Sequence, residues 1–290
     1  MGSLEHIRVA AIEYPVDFLS TWEGYVQKIT GYFQRAQEAG VNLLVFPEYG
    51  AMELASLLNE WLYSQLDGQI LALQEYRDAF VKLHQSLSDQ TGIFALAASF
   101  PWRVGYSFEF RNRAWFIRPG DKPQWQEKMV MTRFEREKWH ISAGYNVNVF
   151  DTPWGKAGAL ICYDCEFPFL ARRLTEQGAE LLLVPSCTDT PNGYHRVRIS
   201  ARARALENQC YAIQSSTVGD APWSPALDVN YGFAGIFTPI DDGFPDDGVL
   251  VVGADEKTGM LISDLDLAHI RHIRENGQTL NFRDWNEQFR

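Results

Sequence analysis

Three side chains in this sequence bring together a carboxylate, an ammonium and a thiol, each beside a short apolar run. Glu48 directly follows such a run and a proline in Val45-Phe46-Pro47-Glu48-Tyr49. Lys128 lies in Glu127-Lys128-Met129-Val130-Met131, where a strongly hydrated ammonium is costly unless it is paired. Cys162 ends the apolar segment Gly158-Ala159-Leu160-Ile161-Cys162, and a helix is expected just beyond Pro168. A thiol at a strand-to-helix elbow is presented outward, with neighbouring backbone N–H groups free to bind an anion. Taken singly, each has an ordinary explanation: a carboxylate that caps a helix, a lysine on an edge strand, a cysteine in the core.

The remaining cysteines narrow the chemistry. Cys162 and Cys165 form a C-x-x-C spacing, which invites a zinc or redox reading. A structural zinc site wants a second pair, and Cys187 and Cys210 do not supply one; both are expected to be inert core residues. Four cysteines in 290 residues do not make a disulfide scaffold, so thiols in a reducing compartment are expected. No metal and no organic cofactor is called for.

The elements that must position these groups follow from the hydrophobic pattern. Strands are expected at residues 7–12, 42–46, 93–99, 113–118, 156–162, 180–184 and 211–216, with a sheet-rich end at 235–238, 249–253 and 259–264. Residues 125–131 and 146–150 also read as extended. Helices are expected at 20–39, with Ser20 and Glu23 as a capping box and Gly40 as the stop, and at 69–90, 168–177 and 196–208. Apolar runs alternating with amphipathic stretches give an α/β fold. No linker or low-complexity tract divides the chain.

Composition bounds the function. The chain has 290 residues, 46% hydrophobic, which is enough for a large core. A formal net charge of −11 lacks the positive field that phosphate backbones and anionic lipids select for, so neither nucleic acid nor membrane is expected as a partner. No apolar run reaches the roughly 18 residues that span a bilayer, and the N-terminus reads as a short leader running into a strand. The cytoplasm is the expected location.

The set of three groups, in the order Glu, Lys, Cys and each at a strand end, resembles the nitrilase superfamily of carbon–nitrogen hydrolases. The matching segments are FPEYG (46–50), EKMVM (127–131) and GALICYDCEFP (158–168), joined by LLLVPSCTD (181–189) and RARALENQCYAI (202–213). The resemblance spans about residues 7 to 265. It implies a four-layer α-β-β-α sandwich of two stacked mixed sheets, a hydrolase domain over residues 1–265, and a tail over 266–290 that is either a solvated arm or part of a subunit interface. It implies a homodimer or a higher homo-oligomer.

It also implies a triad of Glu48 as general base, Lys128 as the cation at the oxyanion and Cys162 as nucleophile, with the backbone N–H of Tyr163 as second oxyanion donor. A second, substrate-orienting carboxylate falls between the Lys and Cys segments. Glu137 fits it better than Glu135, because Trp139 follows closely and Gly144 comes seven residues later. Many relatives carry Arg just before the Phe-Pro that follows the cysteine, and Glu just after it; this chain has Glu166 and Phe169 there. Cys162-Tyr163-Asp164 looks more like the amidase branches, including omega-amidase-like and carbamoyl-amine-cleaving members, than the nitrile-cleaving ones.

The substrate is then a small non-peptide amide, with a pocket drawn from Tyr49, Glu137, Trp139, Glu166 and the loop at 188–194, where Asp189, Asn192 and Tyr194 can read a polar end group. Arg172 and Arg173 read as solvated helix charges. Three alternatives stand beside this one: a nitrilase or acyltransferase using the same triad, a non-catalytic binding homologue, and a redox protein using Cys162 and Cys165.

Overall fold

Alternation along the first strand divides the interior in two. The computed structural model describes residues 4–253 and 259–290, so residues 1–3 of the expected leader lie outside it. In β1 (His6–Pro15), Ile7, Val9 and Ala11 face one core, and Ala10, Ile12 and Tyr14 face the other. The chain continues through α1 (Trp22–Glu38), β2 (Leu43–Val45), a 3-10 segment (Gly50–Leu57), α2 (Glu60–Tyr63), α3 (Leu66–Ala72), α4 (Arg77–Thr91), β3 (Phe94–Leu96), β4 (Phe100–Arg103), β5 (Phe110–Ile117) and β6 (Gln124–Glu127). It then forms α5 (Arg133–Glu137), β7 (Val149–Thr152), β8 (Gly155–Ala159), α6 (Pro168–Glu176), β9 (Ala179–Ser186), α7 (Pro191–Asn208) and β10 (Tyr211–Asp220). The last elements are β11 (Val229–Asn230), β12 (Gly235–Phe237), β13 (Val249–Val252), β14 (Gly259–Asp266) and α8 (Leu267–Asn276).

The strands form one mixed, hydrogen-bonded network in the order β4-β5-β3-β2-β1-β10-β9-β8-β7. β14 runs antiparallel along β1 from His6 to Glu13, and β10 takes over that flank for three residues, pairing Glu13 with Ser216, Tyr14 with Thr217 and Pro15 with Val218. The sheet curls at this narrow seam. Phe116 of β5 and Phe150 of β7, from distant strands in the order, stack with ring centroids 4.5 Å apart and planes 6° from parallel. The expected separate sheets are therefore two halves of one continuous ladder. Tyr25, Ile29 and Phe33 of α1 and Phe80 of α4 fill one core; Leu170 and Leu174 of α6, Val197 and Ala201 of α7 and Ile270 of α8 fill the other.

Several local expectations are corrected. The cap of α1 is Thr21, whose Oγ1 accepts from Gly24 N at 3.1 Å, and not Ser20. The helix expected at 69–90 is interrupted after Ala72. There Gln74 donates to Pro101 O at 2.8 Å and accepts from Arg103 N at 3.0 Å, so its side chain clips β4. β4 itself was not expected; it holds Pro101, which an edge strand tolerates. In the tail, α8 packs on the body through buried Leu267, Ile270 and Ile273, while residues 286–290 are exposed. Arg172 is not solvated: it is 6% exposed, donates to Phe282 O at 3.1 Å and lies 4.8 Å from the rings of Phe282 and Trp285.

Candidate active site

The three groups singled out in the sequence meet at one end of the sheet. β2 stops at Val45, Phe46 N still reaches Leu96 O at 2.9 Å, and Pro47 then turns Glu48 inward, where it is 1% exposed. Lys128 follows β6. Its backbone is held on both sides, with Lys128 N donating to Asn112 O at 2.9 Å and Gly144 N donating to Lys128 O at 2.8 Å. A Cβ on Gly144 would stand 2.7 Å from the Glu127 side chain and 3.2 Å from Lys128 O, so only glycine lets the two segments approach this closely. Cys162 sits just past β8 with φ of +50°, a left-handed conformation that is costly for any residue with a Cβ. The turn places its sulfur 3.7 Å from Cys187 O and against the Glu48 carboxyl.

Lys128 is the hub. Its Nζ donates to Glu48 Oε1 at 2.7 Å and to Glu135 Oε2 at 2.6 Å, all three side chains being at most 3% exposed. Asn112 Nδ2 donates to Glu48 Oε1 at 2.8 Å, and Cys187 N donates to Glu48 Oε2 at 3.1 Å. Tyr49 OH donates to Glu135 Oε1 at 2.7 Å. Thr132 donates to Glu135 Oε2 through its N–H at 2.8 Å and its hydroxyl at 2.9 Å. Asp164, two residues past the thiol, accepts from Val130 N at 2.8 Å, Met129 N at 3.0 Å and Ile161 N at 3.3 Å, and so ties the lysine segment to the cysteine elbow.

The carboxylate that lies beside Lys128 with Glu48 is Glu135, and not the expected Glu137. Thr132 and Glu135 form the capping box of α5, which turns Glu135 back toward Lys128. Glu137, two residues on, points to solvent and pairs with Arg133, whose side chain is 87% exposed. The T-x-x-E spacing of that box was visible in the sequence; the partner toward which it turns Glu135 was not. Asn112, Asp164 and the N–H of Cys187 were missed. Asn112 lies between Arg111 and Arg113 in β5, so no apolar run marked it out.

Charge balance follows from this packing. Burial pushes the Glu48 pKa up; Lys128 pulls it down, and the like charge of Glu135 pushes it up again, leaving it raised. Burial opposes the charge of Lys128, but Glu135 and Glu48 outweigh it and hold the ammonium well above the usual lysine value. Burial likewise opposes the charge of Glu135, yet Lys128 wins and holds the carboxyl low. Burial and then Glu48 push the Cys162 thiol well up. Burial lifts Asp164 to about 7 against Lys128 and the two N–H groups. The resting pair is thus a thiol beside a carboxylate whose proton affinity is raised, which suits a nucleophile–base pair.

The groups open into a cavity of about 310 Å³, at the small end of the usual range of about 300–1,000 Å³ for ligand sites. Tyr49, Trp139, Glu166 and Asp189 line it as expected, and so do Arg196 and the loop at 225–229, which were not expected. Tyr194 does not: its ring is buried against Tyr231 and Phe233. Asn192 lines a shallow groove next door. Cys187 is no inert core residue, since it lines the cavity and binds Glu48 through its N–H. Tyr163 lies in the first turn of a 3-10 segment, whose leading N–H groups have no partner within the segment. All four cysteines are free thiols, and Cys165 is fully buried. Among the described residues, no group of three or more His, Cys, Asp or Glu is placed to hold a metal ion, and no helix is long and apolar enough to cross a membrane.

A family model described as carbon–nitrogen hydrolase matches residues 8–275. A probable hydrolase of Bacillus subtilis is 34% identical over 278 residues, which are 96% of this chain and 53% of that protein. Deaminated glutathione amidase of Rattus norvegicus is 32% identical over 142 residues, 49% of this chain and 40% of that one. The chain spans about half the length of the Bacillus relative. Among solved structures, Saccharomyces cerevisiae Nit3, described as a member of branch 10 of the nitrilase superfamily, superposes with a TM-score of 0.73 at 20% identity, covering 94% of both chains. At that identity the likeness concerns the fold.

Proposed function

The chain belongs to the carbon–nitrogen hydrolase family, and on that premise we propose that it cleaves the C–N bond of a small non-peptide amide or carbamoyl amine through a thioester on Cys162. The observation that carries this reading is the buried ammonium of Lys128 held between Glu48 and Glu135 beside the Cys162 sulfur. A binding site needs no such balanced set; an acyl-transfer site does.

In this reading Glu48 takes the thiol proton as the sulfur attacks the carbonyl carbon. Negative charge develops on the carbonyl oxygen, where Lys128 and the N–H of Tyr163 receive it; one preorganised donor is worth about 3–4 kcal/mol. Glu48 then returns the proton to the departing nitrogen, and ammonia or an amine leaves. Water, deprotonated by the same carboxylate, attacks the thioester and frees the acid. Glu135 holds Lys128 in place and keeps it charged throughout. The frame is a four-layer arrangement, with α1 and α4 outside one half of the curled sheet and α6 and α7 outside the other. The fully buried sulfur of Cys165 speaks against the redox alternative.

The test is ammonia release from a panel of short amides, paired with mass spectrometry of the enzyme caught with a slow substrate. An acyl adduct on Cys162, absent from Cys162→Ala, is the expected result. An adduct on Cys165, or turnover by Cys162→Ala, would overturn the assignment.

A further inference from the structure

We propose that the cavity mouth selects amides bearing an ammonium or guanidinium group a few bonds from the scissile carbonyl, with Asp189 and Asp228 reading the cation and the Glu166–Arg196 pair guarding against carboxylates. This rests on the amidase reading above. The cavity is lined by five carboxyl groups, those of Glu48, Glu135, Glu166, Asp189 and Asp228, and by two cations, Lys128 and Arg196.

Both cations already face carboxylates. Lys128 is held at 2.7 and 2.6 Å by Glu48 and Glu135. Arg196 donates through Nε to Glu166 Oε1 at 3.2 Å. Glu166 thus sets an acid against the one arginine at this wall of the mouth. Asp189 and Asp228, by contrast, have no Lys or Arg partner within 4.0 Å among the described residues. Their side chains take only local donors, Thr190 Oγ1 at 3.3 Å and Val229 N at 3.1 Å.

The two aspartates sit on loops fastened to each other and to the reacting groups. Tyr231 N donates to Thr188 O at 2.7 Å, and Thr188 Oγ1 donates to Tyr231 O at 2.6 Å. Cys187, two residues before Asp189, touches both Glu48 and the Cys162 sulfur. Two residues span at most about 7 Å, so the cation must lie within a short chain of the carbonyl. Phe134, Trp139 and Tyr163 line the same cavity, and aromatic faces attract cations but not anions. The buried indole N–H of Trp139, without a partner among the described residues, belongs to the same lining and is a donor left over for a ligand.

The experiment uses the full chain and three amides matched in length: 4-aminobutanamide, pentanamide and glutaramate. For the unsubstituted protein at low ionic strength, kcat/KM is expected to be at least about tenfold higher for 4-aminobutanamide than for pentanamide, and lowest for glutaramate, with the spread shrinking as salt screens the mouth. In D189N/D228N the ratio of the cationic to the neutral substrate is expected to fall about tenfold or more. Glu166→Gln, which releases Arg196, is expected to raise the rate on glutaramate relative to pentanamide. The proposal is overturned if glutaramate is hydrolysed as well as 4-aminobutanamide, or if D189N/D228N lowers all three rates in proportion. If pentanamide is hydrolysed without preference for either charged analogue, the amidase reading stands and this inference falls. If none of the three forms an acyl adduct on Cys162, both fall.

Discussion

Replacing Glu135 by Gln keeps the side chain's shape and removes one charge from the triangle around Lys128. Glu48 and Glu135 lie 2.7 and 2.6 Å from one nitrogen, so their nearest oxygens are at most about 5 Å apart. Two like charges at about 5 Å, with an effective dielectric constant of about 20, repel by about 3 kcal/mol. Glu135 thus raises the proton affinity of Glu48, and its neutralisation lowers it. The ionised form of Glu48 is the base, so the acid limb of kcat/KM in Glu135→Gln is expected to move to lower pH. Turnover falls as well, roughly tenfold to a hundredfold, because an amide nitrogen now faces donors that the carboxylate accepted and Lys128 shifts. Stability changes with the same sign logic. The folded carboxyl of Glu135 titrates below its ordinary value, so its contribution is present above the unfolded pKa and is lost as pH falls through the folded one. The variant loses that term. Initial rates over roughly pH 4 to 9, with melting curves at each pH and Glu137→Gln as control, measure both effects. An acid limb that stays in place, or a Glu137→Gln profile that moves equally, would refute the role given to Glu135.

Three other perturbations probe the surroundings. Cys165→Ala deletes one fully buried sulfur; it should cost about 1 kcal/mol in a denaturant titration and leave turnover intact, and an inactive but folded variant would restore the redox alternative. Asp164→Asn places an amide opposite three backbone N–H groups, so one donor is left unpaired at a cost of about 1–3 kcal/mol. The folded pKa of Asp164 is raised to about 7, so ionising it withdraws stability as pH rises from its unfolded value toward 7. The variant should melt with a flatter pH dependence over that range, and an unchanged slope counts against a buried, titrating Asp164. Phe282→Ala removes the ring that lies 4.8 Å from the Arg172 guanidinium and 4.2 Å from that of Arg274. A loss of about 1–2 kcal/mol, read as a melting temperature lower by several degrees, is expected with kcat unchanged.

The sequence by itself determined which chemistry is present. Glu48, Lys128 and Cys162 were legible because each breaks an apolar run at a strand end, where a polar group has no packing reason to be. The α/β pattern was legible for the same reason: strands buried on both faces are written as continuous apolar runs. Only the tertiary structure decided which glutamate stands beside Lys128, because Glu135 and Glu137 differ by two residues on one short helix and a capping bond rotates one inward and the other out. Asn112, Asp164 and the Cys187 N–H act across 64, 35 and 139 residues of chain, and no local pattern encodes such pairings. The same holds for Arg172 beneath the C-terminal segment and for the break that frees Gln74. Periodicity reports which face of an element is apolar; which distant groups meet that face is settled only when the sheet curls and brings its far strands together.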